Sequence, residues 1–324
     1  VDPLRDLLEQ YQAYLYLLAI AAGLLLGLPA SPGLTSMLEL LVWPVLGVLL
    51  YVTFTQVPLV RLSTAIRDWR FLSALTLGNF VLLPALVWAL LQLLPDDPAI
   101  RLGVLLVLLV PCTDWFIGFT HLGRGDGARA IAATPVLLLG QLLLLPLYLW
   151  LLLGDTAVEL ALGTHLLAAF AGLILVPLLL AWVTQWAAQY RTMPRALISW
   201  LAWLPVPLLA VVVMLIAASQ AYMVLDMGPV FGKVLLVFVL FLLVAALLGK
   251  LLGRLFSLPP ATARTLVFSF GTRNSFVMLP LALALPDPLR AAVVVIVFQS
   301  LVELFGMVAY VHWVPRRLIK SGPA

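Results

Sequence analysis

Apolar runs of about 20 residues follow one another along nearly the whole chain, broken only by short connections carrying Pro, Gly, Asp and Arg. A run of that length crosses the hydrocarbon core of a bilayer as a helix. Strands of a membrane barrel would instead show segments of about 10 residues with alternating polarity, and these runs do not alternate. In lipid every backbone N–H and C=O must be paired internally, which continuous helices achieve. Composition agrees. Hydrophobic residues make up 64% of the 324, charged residues 10%, and the mean hydropathy is +1.17, whereas a soluble domain carries about 25% charged residues. The fold class expected is therefore an all-α polytopic membrane protein, and its first partner is the lipid bilayer.

Ten spans are predicted: Tyr14–Leu28, Met37–Val57, Phe71–Leu94, Leu102–His121, Ile131–Leu153, Gly163–Ala188, Leu197–Ala221, Val230–Arg254, Thr265–Leu285 and Leu289–Trp313. With these limits, fourteen Lys and Arg residues fall on one side of the membrane (Arg5, Arg61, Arg67, Arg70, Arg124, Arg129, Arg191, Arg195, Lys250, Arg254, Arg264, Arg316, Arg317 and Lys320). Three fall on the other (Arg101, Lys233 and Arg290), and Arg273 lies inside a span. Basic residues collect on the cytoplasmic side, so both termini are expected there, in a multi-pass protein of the cell membrane. The net charge of +4 reflects this asymmetry and does not point to nucleic acid. Trp43, Trp69, Trp150, Trp200 and Trp313 lie near span ends, as interfacial aromatic belts predict.

The chain reads as one transporter unit, 1–324, divisible near Glu159 into five-span halves, 10–155 and 160–315. An odd number of spans per half inverts the second half relative to the first, the layout of inverted-repeat transporters. The fourth span of each half is anomalous. Span four reads Leu-Leu-Val-Pro-Cys-Thr-Asp-Trp-Phe-Ile-Gly-Phe-Thr-His over Leu108 to His121. Pro111 removes a backbone donor and clashes with the preceding turn, and Asp114 sets a carboxylate near mid-membrane. Span nine reads Phe-Ser-Phe-Gly-Thr-Arg-Asn-Ser-Phe over Phe268 to Phe276, where Gly271 is a second helix break and Thr272, Arg273, Asn274 and Ser275 follow in a row. Paired interrupted spans at corresponding positions point to a substrate site; the alternative is that Pro and Gly only kink the two helices. Broken helices four and nine are expected to cross near the bilayer centre.

A charge at mid-membrane costs at least about 2.5–3.5 kcal/mol on insertion scales. Asp114 and Arg273, one at each break, are expected to pair directly or through substrate, either as a structural pair or as a switch. Glu303, midway through span ten after Gln299 and Ser300, is read as a proton carrier with Asp114; the alternative is a carboxyl held by hydrogen bonds between helices. Asn79, Gln141, Ser269 and Gln299 are supporting polar groups, with interhelical glue as their alternative role. His121, His165 and His312 have no His, Cys or carboxylate partner at ligand spacing, so no metal site is expected. No phosphate-binding loop or Ser-His-Asp set is present. Neither an enzyme nor an ATP-driven pump is expected, and no cofactor is implied. A scaffold or sensor would have no need of mid-membrane charges.

From Pro111-Cys112-Thr113 onward the chain resembles a known group. Ten spans in inverted fives with breaks in spans four and nine look like the bile acid/arsenite transporter superfamily, over essentially the whole chain. Pro-Cys-Thr followed by Leu122, Gly123, Gly125 and Asp126 resembles span four of the arsenite-efflux permeases. Ser300-Leu301-Val302-Glu303, an apolar run and Arg316-Arg317 resemble the end of that family, and Gly271, Asn274 and Phe276 match its span-nine break. The chain departs from the permeases at Val277, where they carry Glu, and at Leu137-Leu138, where they carry Asn-Asp. It also carries Asp114 and Arg273, which they lack. Against the bile acid/sodium symporter branch, the sodium-liganding Glu and Gln appear as Ser269 and Arg273, and Ser-Asn of span four appears as Phe116-Ile117.

The resemblance implies proton-coupled efflux of arsenite or a related metalloid by a divergent member. Alternating access would rock a panel domain against a core domain carrying spans four and nine. Cys112, Thr113, Asp114, Thr272, Arg273, Asn274 and Ser275 would contact substrate, and Glu303 would carry a proton. The other reading is a small organic-anion transporter anchored by Arg273 and not coupled to sodium.

Overall fold

A computed structural model describes residues 3–57, 68–113, 115–153, 171–226 and 228–320. Among these residues the chain is helical, with no strands and a single isolated antiparallel bridge. It divides into two compact units that each draw on both halves of the sequence: Val1–Gln56 with Thr164–Gly232, and Val57–Gly163 with Lys233–Ala324.

The first unit contains α1 (Pro3–Gly27), α2 (Pro32–Gln56), α7 (Val176–Tyr190), α8 (Thr192–Leu201), α9 (Pro205–Ser219) and α10 (Ala221–Asp226). α1 and α2 pack on α9, and α7 packs on α2. Small residues decide how closely α1 and α9 approach. A Cβ on Gly23 would stand 2.3 Å from the Met214 carbonyl oxygen, and one on Gly27 would stand 2.1 Å from that of Ala218. Gly23 and Gly27 are four apart and face Ala217 and Ala218, a small-xxx-small contact of the kind that drives association in lipid, where apolar side chains gain nothing from leaving it. The Gln185 amide donates to the carbonyls of Phe54 (3.0 Å) and Thr55 (3.1 Å), which belong to the last turn of α2 and have no helical partner.

The second unit contains α3 (Trp69–Leu91), α4 (Pro98–Leu108), α5 (Trp115–Leu122), α6 (Gly127–Leu153), α11 (Gly228–Leu255, from Lys233 onward), α12 (Pro260–Gly271), α13 (Ser275–Leu283) and α14 (Ala291–Trp313). Asp68 caps α3 by accepting from the Phe71 N–H at 3.2 Å. Asp97 caps α4 through the N–H groups of Ala99 and Ile100, with Pro98 at the first helical position; both choices satisfy orphan donors of a first turn. α3 contains a π-turn over Gly78–Leu82. Pro84 has no N–H, so the Phe80 carbonyl four residues earlier has no helical donor, and the Tyr148 hydroxyl of α6 donates to it at 2.6 Å.

Leu122, Gly123, Gly125 and Asp126 form the turn between α5 and α6. Gly123 and Gly125 N–H groups return to the carbonyls of Phe119 and Thr120, and Arg124 takes a left-handed backbone (φ 57°). Asp126 caps α6 through the Arg129 N–H. Arg129 also reaches Asp68 at 2.8 Å and pairs with Asp126. Arg264, 3% exposed, donates to the carbonyls of Arg124 and Ile319. The Gly-x-Gly-Asp stretch thus ends one helix and starts the next.

Ten spans were expected. Among the described residues, five helices are long and apolar enough to cross a membrane alone: Pro32–Gln56, Trp69–Leu91, Gly127–Leu152, Val230–Leu255 and Asp287–Leu318. A sixth appears if Thr192–Leu201 and Pro205–Ser219, bent by 50° at their break, count as one. Spans four and nine divide into pieces too short to qualify singly, and span six begins in residues 154–170, outside the described set. Within expected span seven, the structure ends a helix at Leu201 and starts the next at Pro205; Pro205 and Pro207 favour a first turn.

Candidate functional site

The two interrupted spans meet. α4 ends at Leu108, and α12 ends at Gly271 with Thr272 extended beyond it (φ −95°, ψ 135°). Pro111 and Arg273 then lie side by side as an antiparallel bridge. The Cys112 N–H donates to the Thr272 carbonyl at 3.2 Å, and the Asn274 N–H donates to the Val110 carbonyl at 2.8 Å. Each break therefore satisfies backbone groups that the other orphans, as buried backbone requires. Gly271 contributes room and no unusual backbone angle: a Cβ there would stand 2.7 Å from both Met307 and Tyr310. Asn274 opens α13 by accepting from the Val277 N–H, and its amide donates to the Thr113 hydroxyl at 3.3 Å.

Arg273 is 2% exposed. Its Nη2 donates to Asn79 Oδ1 (3.0 Å) and to the carbonyls of Ser269 (3.0 Å) and Phe270 (2.8 Å). Its Nη1 makes a longer contact, 3.4 Å, with the Leu108 carbonyl. In an unbroken helix the Ser269 and Phe270 carbonyls would accept from the N–H groups of Arg273 and Asn274. The first goes instead to Glu303 Oε2 (2.8 Å) and the second to Val110. The Arg273 side chain folds back onto the two carbonyls deserted at the break, a cation at a helix C-terminus where the dipole favours one. Leu108 loses its helical donor in the same way, since the Cys112 N–H goes to Thr272. The Phe241 ring lies 5.3 Å from the guanidinium carbon.

A second row of polar groups runs beside it. The Ser275 hydroxyl donates to Gln299 Oε1 (2.6 Å), and Gln299 Nε2 donates to Glu303 Oε2 (2.7 Å). Glu303, 1% exposed, also accepts the Arg273 backbone N–H, and Cys112 is 2% exposed. Asn79 is fixed by donating to Ser269 Oγ (3.0 Å) and the Leu75 carbonyl. The Thr272 hydroxyl turns back to the Phe268 carbonyl.

Asn79, Cys112, Thr113, Ser269, Thr272, Arg273, Asn274, Ser275, Gln299 and Glu303 are thus gathered around the two breaks. Gln141 is not among them; it is 1% exposed, and neither amide atom has a hydrogen-bond partner among the described residues. Asp114 lies outside the described residues, and so does its expected pairing with Arg273. The carboxylate that the described residues bring to Arg273 is Glu303. Sequence reasoning missed Phe241 and the three deserted carbonyls. Nothing marks Phe241 among the apolar residues of its span, and a carbonyl's availability follows from where a helix stops.

A sequence model of the sodium bile acid symporter family matches residues 43–227, more than half of the chain. The match includes the break at Pro111 and stops short of the one at Thr272. No curated protein matches the chain.

Proposed function

This chain belongs to the sodium bile acid symporter family, and on that premise we propose that it expels arsenite, or a metalloid hydroxide of the same chemistry, by alternating access around the crossing of its two interrupted spans. The family is one of secondary transporters, so the protein is a membrane transporter of a small molecule and not an enzyme. The observation that carries the finer reading is the position of Cys112. It is the one cysteine in the chain, and its backbone is part of the bridge between the breaks. Arsenite at neutral pH is a small uncharged hydroxide of a thiophilic element. On exchange with a thiol, one As–O bond breaks and one As–S bond forms, and the thiol proton leaves with the hydroxyl as water. The Thr113 hydroxyl and the Asn274 amide, bonded to each other beside Cys112, would hold the remaining hydroxyls. Glu303, with Asp114, would carry the coupling proton; protonation of Glu303 would remove the negative charge in contact with Arg273.

The reading of Arg273 as an anchor for an organic anion has less support. Its Nη2 donates to three protein oxygens and its Nη1 to a fourth, so a carboxylate would have to displace these or use the Nε–H, which has no hydrogen-bond partner among the described residues. The five-helix halves, inverted and in one transporter, remain part of this proposal, as do the cell membrane and the cytoplasmic termini.

The test is arsenite accumulation in cells that lack their own arsenite pump. Wild type is expected to lower cellular arsenite, and Cys112→Ser to behave like an empty vector. Equal accumulation in all three would remove arsenite as the substrate.

A further inference from the structure

We propose that a groove between α11 and α14 binds one anionic phospholipid, with an acyl chain lying in the groove and the phosphate meeting Arg316 and Arg317. The inference does not depend on which solute is carried. Both helices lie in the same compact unit, and both are long and apolar enough to cross a membrane. The groove between them measures about 590 Å³, with Leu235, Val239 and Leu243 of α11 on one side and Val302, Phe305 and Ala309 of α14 on the other. Leu235, Val239, Leu243 and Phe305 are exposed, so the groove opens on the outside of the unit. Its floor is closed by three contacts. The Phe238 and Phe298 rings lie 6.1 Å apart, a Cβ on Gly306 would stand 2.5 Å from the Leu242 side chain, and the Tyr310 hydroxyl donates to the Leu242 carbonyl. That bond uses the hydroxyl, and the Trp313 indole N–H is the other polar side-chain group of the lining. A ligand along the groove thus finds packing and no hydrogen bonds. Apolar surface gains nothing by leaving lipid, but a gap forfeits its dispersion contacts, so a hydrocarbon chain is the occupant that fits.

Charge and length identify the rest of the ligand. Phe298, Val302, Phe305, Ala309 and Trp313 recur every three or four residues along one face of α14, and the next positions on that face are Arg316 and Arg317, in the π-turn Val314–Leu318. Both arginines are exposed, with no hydrogen bond or ion pair among the described residues. The turn that carries them is held in place. Val314 and Leu318 are buried, the Ile319 N–H returns to the Val314 carbonyl at 2.9 Å, and buried Arg264 donates to the Ile319 carbonyl at 3.0 Å. From Leu301, midway along α14, to Trp313 the helix rises about 18 Å. That is the depth of one leaflet, roughly 15 Å of hydrocarbon or about 20 Å with its headgroups. A phospholipid on the basic side of the membrane can therefore lay one chain along the groove from mid-membrane outward. Its phosphate then arrives at the level of Trp313, an interfacial residue type, and within reach of two guanidinium groups, which bind phosphate as bidentate donors. Tyr310, in the groove wall, also lies against Gly271 and packs edge-on against Phe268, so the chain supports the span-nine break from behind.

The experiment titrates the delipidated full chain, in a neutral detergent, with dioleoyl phosphatidylglycerol, dioleoyl phosphatidylcholine or glycerol phosphate. It reads Tm and, by native mass spectrometry, the lipid retained. Wild type is expected to retain one phosphatidylglycerol per chain and to gain Tm saturably with it, to bind phosphatidylcholine more weakly, and to ignore glycerol phosphate. The double variant Arg316→Gln with Arg317→Gln is expected to bind phosphatidylglycerol about thirtyfold more weakly, the loss of two cations at a lipid surface, with its response to phosphatidylcholine unchanged. Ala309→Trp, at an exposed position of the wall, fills the groove. It is expected to melt with wild type in detergent alone and to lose the response to both lipids. Phosphatidylglycerol binding that is the same in wild type and in either variant overturns the proposal. So does a shift with glycerol phosphate equal to that with the lipid, which would mark a site for free phosphate. Should one variant fail to fold, the other decides by the same criterion.

Discussion

Arg273 serves the break twice, through its backbone N–H to Glu303 and through its side chain to the carbonyls of Ser269 and Phe270. A residue whose side chain cannot reach or cannot donate would leave those buried carbonyls unpaired, at several kcal/mol per group. Charge at the membrane edge is handled differently. Asp68 accepts from the Phe71 N–H and from Arg129, which also pairs with Asp126. Burial by itself would push the Asp68 carboxyl up, but the Phe71 N–H and the Arg129 guanidinium outweigh it and hold the group below its usual 3.8. A carboxyl lowered on folding stabilises the native state above its unfolded pKa, and that contribution is lost as pH falls through the folded value. Tm of the purified protein is therefore expected to drop as pH is lowered below about 4, and to drop less steeply in Asp68→Asn. Parallel pH profiles for the two proteins would show that the cluster contributes nothing to acid sensitivity.

Among the elements, α3 shows how a proline is accommodated inside a membrane helix. Pro84 leaves the Phe80 carbonyl without a donor, a π-turn forms directly ahead of it, and Tyr148 closes the account from α6. Tyr148→Phe should cost about 1–3 kcal/mol, the usual penalty for a stranded buried acceptor. Pro84→Ala supplies the missing N–H from within the helix, so the double variant should recover most of that loss. Thermal melting of both single variants and the double would test the cycle; strictly additive losses would mean that the Tyr148 hydroxyl and Pro84 do not act on the same carbonyl. The interrupted helices follow the same rule with a different partner, since α4 and α12 complete each other's backbone bonding at Pro111 and Arg273.

For the whole molecule, the distribution of Lys and Arg predicts an orientation that chemical labelling tests. In a Cys112→Ser background, a cysteine at Asp96, in the connection bearing Arg101, is expected to react with a membrane-impermeant maleimide applied to intact cells. One at Arg317 is expected to react only after lysis. Labelling of Arg317→Cys in intact cells would invert the topology and with it the direction assigned to the substrate. Each of the two compact units is assembled from a segment of the first half and a segment of the second. The half-by-half division of the sequence therefore does not coincide with the units into which the chain packs.

Hydropathy and the paired polar interruptions determined the membrane class, the helical secondary structure, and the two places where helices stop, because apolar length and Pro or Gly act locally on the backbone. They also marked Arg273, Asn274, Gln299 and Glu303, since a polar group in an apolar span is visible without knowing its neighbours. Partners were decided by tertiary structure alone. The Arg273 guanidinium lies against four neutral oxygens and the Phe241 ring, and Glu303 accepts from the Arg273 backbone N–H, while Asp114, its expected partner, lies outside the described residues. The physical reason is that three of those oxygens are backbone carbonyls, present at every residue. They become ligands only where a helix ends and another segment crosses it.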